Sequence, residues 1–490
     1  MSFRLRTKAA LSFPLALAGA LAACSGDAAP ALDQGTQALG GGIRVTPIAE
    51  LAGTSSDDYA ANEHGVVTGD RLRTWLRDWP AKKPAGITGR LVVLQVAPSV
   101  EGATRYVTPA PERGVLSYLV PTASLVQTRN NGLSEFEAEI PDGPAADALL
   151  ARYGLDPRHD LIVLTFEQQP TTANSIVHSI GRAWLLLRYW GVEAHHVALL
   201  NGSVDYNATT HGLPLSTTAE RPAPTPPGDG KVSVRDLRVD NTGLVITLEE
   251  ILPLLRAPDA AERARVSIVD ARGGAEALGL RKATSTGRTD CASYDADVPA
   301  NRRCSTPFEG RIKGAHSVPW TQFLDDAAHG FGFLSKARVK EIFDAQAEVT
   351  EKTAYLVQYC RTNQRSTVTG IVASVILGYP TRFYETSFIE WGHIAHGPTA
   401  NTQVVPKDFP YRTDLADLTE HAELSPADAA AYVPGLALAA GVKPLRWVAG
   451  PNYNADADVS PVRAGWPPVD LAATTTAQSV ASDRAYLRGE

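Results

Sequence analysis

Short, continuously apolar runs of strand length alternate with helical patterns along this chain, and the alternation occurs twice in the same order. In the first half LVVLQV is followed about 70 residues later by LIVLTFE, then a helix-like run to WG, the strand HHVALLNGS and HGLPL. In the second half VSIVDAR is followed about 90 residues later by AYLVQYC, then a helix-like run to LGYP, the strand TRFYETS and IEWG. Apolar strands joined through helices make parallel sheets, so each half predicts a βα domain. Between them the linker 221–231, opening RPAPTPPGDG, excludes a stable helix or central strand. A chain of 490 residues has the length for two such cores and extensions. The fold class expected is therefore α/β. Two domains, 46–220 and 232–400, each hold a mainly parallel sheet flanked by helices, with a C-terminal extension at 401–490. A duplicated domain is the economical reading, and two unrelated α/β domains are the alternative. In the extension only a helix from Pro426 to Tyr432 and packing through Trp447 and Trp466 are predicted.

The N-terminus has a different character. Arg4, Arg6 and Lys8 precede the apolar run ALSFPLALAGALAA, which ends at Cys24. That is the pattern of a secretory signal, and its roughly 14 apolar residues fall short of a bilayer-spanning helix. LAAC resembles the lipobox of bacterial lipoproteins, which implies that Cys24 becomes the lipidated N-terminus; a plain cleaved signal is the alternative. Ser25 resembles the residue that sends such lipoproteins to the outer membrane, facing the periplasm. Residues 25–45, small and rich in Gly and Ala, read as a flexible tether.

Export makes each of the four cysteines informative. Cys291 and Cys304 bracket the polar stretch TDCASYDADVPANRRCS, which a disulfide would close. A metal pair is the alternative, but no second Cys or His pair stands at zinc spacing. Cys360 is left as a single thiol in an oxidising compartment. The net charge of -7, without a basic run, excludes a nucleic-acid footprint.

Chemistry concentrates at AYLVQYCRTNQRSTVTGIVASVILGYP. Tyr355 to Tyr359 read as a strand, and Ser366 reads as the N-cap of a helix whose apolar face is Val368, Ile371, Val372, Val375 and Ile376. Its β-branched residues leave a strand as the alternative, and Gly378 is a suitable stop. Cys360 then stands at the carboxyl end of a parallel strand, where α/β sheets bind ligands. The following helix N-terminus and the cations Arg361 and Arg365 favour a thiolate or persulfide beside an anionic substrate. A buried structural cysteine is the alternative, and two arginines make poor company for it.

The loop CRTNQR followed by Ser366 and Thr367 resembles the catalytic loop of the rhodanese, or thiosulfate sulfurtransferase, family in its tandem-domain form. VSIVDAR (Asp270, Arg272), GRIKGAHSVPW (Gly310 to Trp320) and YETSFIEWG (Tyr384 to Gly392) resemble three further family segments, in the family's order over about 130 residues. The resemblance implies two rhodanese-like domains, the first inactive, with Glu167 in the place of the cysteine, Gln95 in that of the strand-end Asp, and Asn201 in that of a further Asp. It implies Cys360 as sulfur carrier, with Arg361, Arg365 and Arg272 binding the donor. Asp270, Thr362, Asn363, Gln364 and Ser366 would support the site. It also implies no metal or organic cofactor, a small anionic sulfur donor, and cyanide or a thiol as acceptor. One departure stands out: where vertebrate-type members carry a sulfonate-binding Arg, this chain has Glu276, with Arg281 or Arg288 as possible substitutes. His393 and His396 read as surface or packing residues.

Rival functions remain. Mercaptopyruvate sulfurtransferases have a loop resembling C-G-S-G-V-T, nearly neutral, whereas this one is cationic. Cysteine phosphatases and arsenate reductases place five residues between Cys and Arg, and here Arg365 comes after four. A lipoprotein that uses an inactive rhodanese fold to bind a partner is the non-enzymatic reading.

Overall fold

Two five-stranded, all-parallel sheets carry the chain. The computed structural model describes residues 38–39, 42–168, 175–277, 284–286, 302–304, 306, 310–394, 405–415, 417–420 and 467–490. The first sheet runs Gly65–Val67, Val197–Leu200, Leu161–Phe166, Leu91–Ala97, Val115–Pro121 across its width. The second runs Val245–Ile246, Thr381–Tyr384, Tyr355–Tyr359, Val266–Asp270, His316–Ser317. Counted along the chain, both sheets have the order first, fifth, fourth, second, third. This shared topology is what a duplicated α/β unit produces.

The central strands are buried along their whole length, which is why they read as uninterrupted apolar runs rather than alternating ones. The halves are packed into one core. The helix Ser175–Tyr189 of the first lies against the helix Arg365–Ile371 of the second, and Trp184 meets Phe383 edge-on at 6.1 Å. Gly181 permits that approach: a Cβ there would stand 2.1 Å from Thr367 Oγ1. The second helix continues as a π-helical turn over Val372–Ile376 and stops at Gly378, whose φ is +83°.

Three boundaries differ from expectation. The tether ends earlier than residue 45, because Ile43–Val45 pairs with Val239–Asp240 in parallel and with Ala38–Leu39 in antiparallel, and Ile43 is buried. The second domain extends past 400. Val405, Phe409, Tyr411 and Leu418 join the same core as Trp391, and Thr419–Glu420 pairs with Arg311–Ile312. The last residues form the helix Gln478–Arg488, packed on the first half, where Asp483 takes two bonds of 2.8 Å from Arg129 and one of 2.7 Å from Tyr189. Cys24 with its signal, most of the tether, and the Pro426 to Tyr432, Trp447 and Trp466 readings lie outside the described residues. Among the described residues no helix is long and apolar enough to cross a membrane.

Candidate active site

Cys360 directly follows Tyr355–Tyr359, the middle strand of the second sheet, and is fully buried. The loop that it opens is held by the segment leaving the neighbouring strand. Ser387 Oγ accepts from the N–H of Cys360 (3.3 Å) and of Asn363 (3.1 Å), and donates to the Tyr384 carbonyl (2.7 Å). The N–H groups of Phe388 and Ile389 donate to the carbonyls of Cys360 (3.2 Å) and Arg361 (2.9 Å). Asn363, at φ +50°, turns the loop; its side-chain amide donates to Glu385 and its carbonyl oxygen accepts from Ser366 Oγ at 2.6 Å.

This corrects the reading of Ser366 as the N-cap. The helix already begins at Arg365, and the Ser366 hydroxyl serves the loop and the Cys360 sulfur instead. Burial pushes the Cys360 thiol up, yet the Arg365 charge, the Ser366 hydroxyl and the backbone N–H groups of Ser366 and Thr362 outweigh it and leave the pKa below that of an ordinary thiol.

Arg361 and Arg365 reach the same carboxylate. Glu276, on the short helix Gly274–Ala277, accepts from Arg361 Nε (2.9 Å) and from both terminal nitrogens of Arg365 (2.8 and 2.9 Å). Burial would raise the carboxyl, but the two guanidinium groups hold it well below the usual carboxylate range. Arg361 also donates to Thr306 Oγ1 at 2.9 Å.

Arg272 is paired within the fold. It is fully buried, forms a two-pronged ion pair with Asp270 (2.6 Å at the closest), donates to the Gly310 carbonyl and lies 4.0 Å over the Phe388 ring. Asp270 also accepts from Tyr359 Oη at 2.8 Å. The pair follows from the two-residue spacing at the strand end, which lets the guanidinium fold back onto its neighbour, and it braces the central strand from beneath.

In the first half the matching positions carry other side chains. Glu167 stands at the matching strand end and accepts from the Thr104 N–H (2.9 Å) and hydroxyl. Gln95 is buried against the Arg105 carbonyl, and Asn201 binds the Phe333 N–H (2.6 Å) and carbonyl. Sequence reasoning missed Arg182, which pairs at 2.7 and 3.0 Å with Glu385, the acceptor for Asn363 of the Cys360 loop. It also missed His178, which with Arg182 and Gln364 lines a cleft of about 300 Å³ between the halves. Burial, Arg365 and Arg182 push His178 down to about 3, so it is neutral. No local sequence pattern marks either residue; YETS alone signalled Glu385 and Ser387.

His393 is a packing residue, buried and bonded to the Pro467 carbonyl at 2.8 Å. His396, Arg281, Arg288 and Cys291 lie outside the described residues, and of Cys304 only its place in the strand Arg302–Cys304 is described. A concavity of about 810 Å³ opens at the far end of the Asp270 strand beside Val266 and takes in none of these site residues.

No protein-family model matches this chain. Over 92 residues, 19% of this chain and 30% of the relative, it is 29% identical to the sulfur carrier protein TtuD of Thermus thermophilus. Over 103 residues, 21% of this chain and 32% of the relative, it is 32% identical to SseA of Mycobacterium leprae, named as a thiosulfate sulfurtransferase. The match thus spans about a third of the length of these curated relatives. Among solved structures, the Tum1 protein of Saccharomyces cerevisiae matches with a TM-score of 0.45 and 16% identity over 67% of this chain and 95% of the other. SseA of Escherichia coli, described as a 3-mercaptopyruvate sulfotransferase with the "Rhodanese" fold, matches with a TM-score of 0.43 and 17% identity over 66% and 98%. In sequence, then, the chain is similar over about a fifth of its length to a sulfur carrier and a sulfurtransferase.

Proposed function

We propose that this chain is a sulfurtransferase of the rhodanese type that carries sulfane sulfur on Cys360. One observation carries the reading: a buried thiol, shifted toward its reactive thiolate, stands at the carboxyl end of the central strand inside a loop of backbone N–H donors and two arginines. The thiolate attacks the outer sulfur of a small anionic donor, of which thiosulfate is the simplest. A bond forms from Sγ to that sulfur while the donor's own S–S bond breaks, and sulfite leaves with the electron pair. Cyanide or a thiolate then attacks the outer sulfur of the persulfide, which releases the Cys360 thiolate. The backbone N–H groups of Thr362 and Ser366 face the sulfur and stabilise its charge through both steps.

The test is a mass spectrum of the purified chain after incubation with thiosulfate. One added sulfur atom on the peptide containing Cys360, absent in Cys360→Ala, is expected. An unmodified Cys360 after exposure to both thiosulfate and mercaptopyruvate would favour the non-enzymatic, partner-binding reading. The second enzymatic reading, mercaptopyruvate transfer, is favoured by one observation: Glu276 already engages both loop arginines, which makes the site less cationic than the loop sequence suggests.

We also propose export, a lipid on Cys24 that anchors the protein in the cell envelope, and a Cys291–Cys304 disulfide. Cys24→Ser should release the protein from membranes or stall its processing, and an unchanged membrane fraction counts against the anchor. Thiol titration of the denatured, non-reduced mature chain should find Cys360 as the one reactive thiol, and three reactive thiols would refute the disulfide.

A further inference from the structure

Glu276 sits between the two arginines of the Cys360 loop. Its Oε1 accepts from Arg361 Nε and Arg365 Nη2, both at 2.9 Å, and Arg361 Nη2 stands 2.8 Å from the same oxygen. Its Oε2 accepts from Arg365 Nη1 at 2.8 Å. Two guanidinium forks closing on one planar oxyanion is the arrangement that recognises carboxylates and sulfonates. Here the oxyanion belongs to the chain.

From this we infer that Glu276 sets which donors Cys360 accepts, and that the site takes an organic hydropersulfide, with at most one negative charge, in preference to a dianion such as thiosulfate. The inference rests on the sulfur-transfer reading and narrows it. Charge decides the preference. Among the described residues, the Asp270–Arg272 and Arg182–Glu385 pairs each sum to zero. Arg361 and Arg365 are offset by Glu276 and by the Cys360 thiolate, so the charges of these described residues sum to zero. A dianion entering the site gives up its hydration without a net opposite charge to meet it. A hydropersulfide gives up far less.

The chemical step sharpens the difference. With a hydropersulfide RSSH, the Cys360 thiolate attacks the terminal sulfur, the Sγ–S bond forms as the S–S bond breaks, and RS⁻ leaves with the electron pair while the proton stays on the new persulfide. The reacting atoms carry one negative charge throughout. With thiosulfate they carry three, and they carry them beside the Glu276 carboxylate.

The experiment compares kcat/KM for thiosulfate and for the hydropersulfide of 2-mercaptoethanol in wild type, Glu276→Gln and Glu276→Asp, each checked for folding by its thermal melt. Wild type should prefer the hydropersulfide. Glu276→Gln should shift the ratio toward thiosulfate on the order of tenfold and make the thiosulfate rate fall more steeply with added salt. Glu276→Asp, which keeps the charge, should stay near the wild-type ratio. A ratio unmoved by Glu276→Gln, or a wild type that prefers thiosulfate, overturns the inference while Cys360 still loads with sulfur. Should neither donor load Cys360 in any of the three proteins, the sulfur-transfer reading falls, and the inference with it.

Discussion

Ser387 holds three backbone groups of the active loop with a single hydroxyl, at a φ of +56° that few side chains adopt. Ser387→Ala leaves the buried N–H groups of Cys360 and Asn363 without that acceptor. The expected cost is about 1–3 kcal/mol in denaturant unfolding, with kcat/KM down on the order of tenfold. Arg365 acts on charge instead. Arg365→Ala removes the charge that lowers the Cys360 thiol, so the thiol pKa rises and the ascending limb of the pH–rate profile moves to higher pH; donor recognition falls roughly ten- to a hundredfold. A profile that does not move would mean that the loop N–H groups alone hold the thiolate. Cys360, Arg361 and Arg365 were legible in the sequence because they share one short loop, and spacing alone places them together. Ser387 and Glu385 come from the next strand, and Arg182 from the other half, so only the topology brings them to the site. The acid at Glu276 was visible as a departure from the pattern, but its grip on both arginines was not. The pairing of Arg272 with Asp270, two residues back along the same strand end, was not anticipated.

At the scale of elements, the Ser175–Tyr189 and Arg365–Ile371 helices pair closely just after the Cys360 loop. Thr367 is the contact point: its hydroxyl donates to the Gln364 carbonyl at 2.6 Å and reaches the His178 carbonyl at 3.3 Å, while Gly181 lies against it. Gly181→Ala puts a methyl group 2.1 Å from Thr367 Oγ1, a separation that forces the helices apart. The expected result is a loss of about 1–3 kcal/mol, a drop in sulfur transfer, and partial rescue by the double variant Gly181→Ala with Thr367→Ala, which removes the hydroxyl oxygen that the new methyl group meets. Full activity in the single variant would mean that the loop is positioned without this contact. Sequence periodicity anticipated both helices and all three strands quoted in each half, since long apolar runs report burial directly. It did not anticipate the π-helical turn, nor that Ile43–Val45 and Val405–Leu418 join the folded body. Those segments are short or rich in Gly, Pro and polar residues, and tertiary pairing overrides what their composition suggests.

For the whole molecule, buried polar groups join the two halves alongside apolar packing. Arg182 of the first half pairs with Glu385 of the second, Asn131 donates to Glu390, and Glu139 lies fully shielded beside them. Glu390 is the member whose charge the fold opposes most legibly. Burial pushes it up to about 7 against the hydrogen bonds from Tyr384 and Asn131, and burial with Glu385 pushes Glu139 up in the same direction. An unfolded glutamate gives up its proton near 4.5, whereas folded Glu390 keeps it to about 7. Between those values the folded state binds the extra proton, so the stability that the protonated group supplies is complete below 4.5 and declines as pH rises to 7. The decline attributable to this group is roughly 3 kcal/mol at most. Glu390→Gln keeps an acceptor for Asn131 and carries no charge to lose. Its urea-unfolding free energy should therefore vary less between pH 4.5 and 7 than that of wild type, and should exceed it at the upper end. Because the contacts of Glu390 span both halves, wild type should unfold in one transition seen alike by tryptophan fluorescence and by circular dichroism. Parallel stability curves for the two proteins across this pH range would mean that Glu390 is ionised within the fold and that another group carries the junction's response to pH.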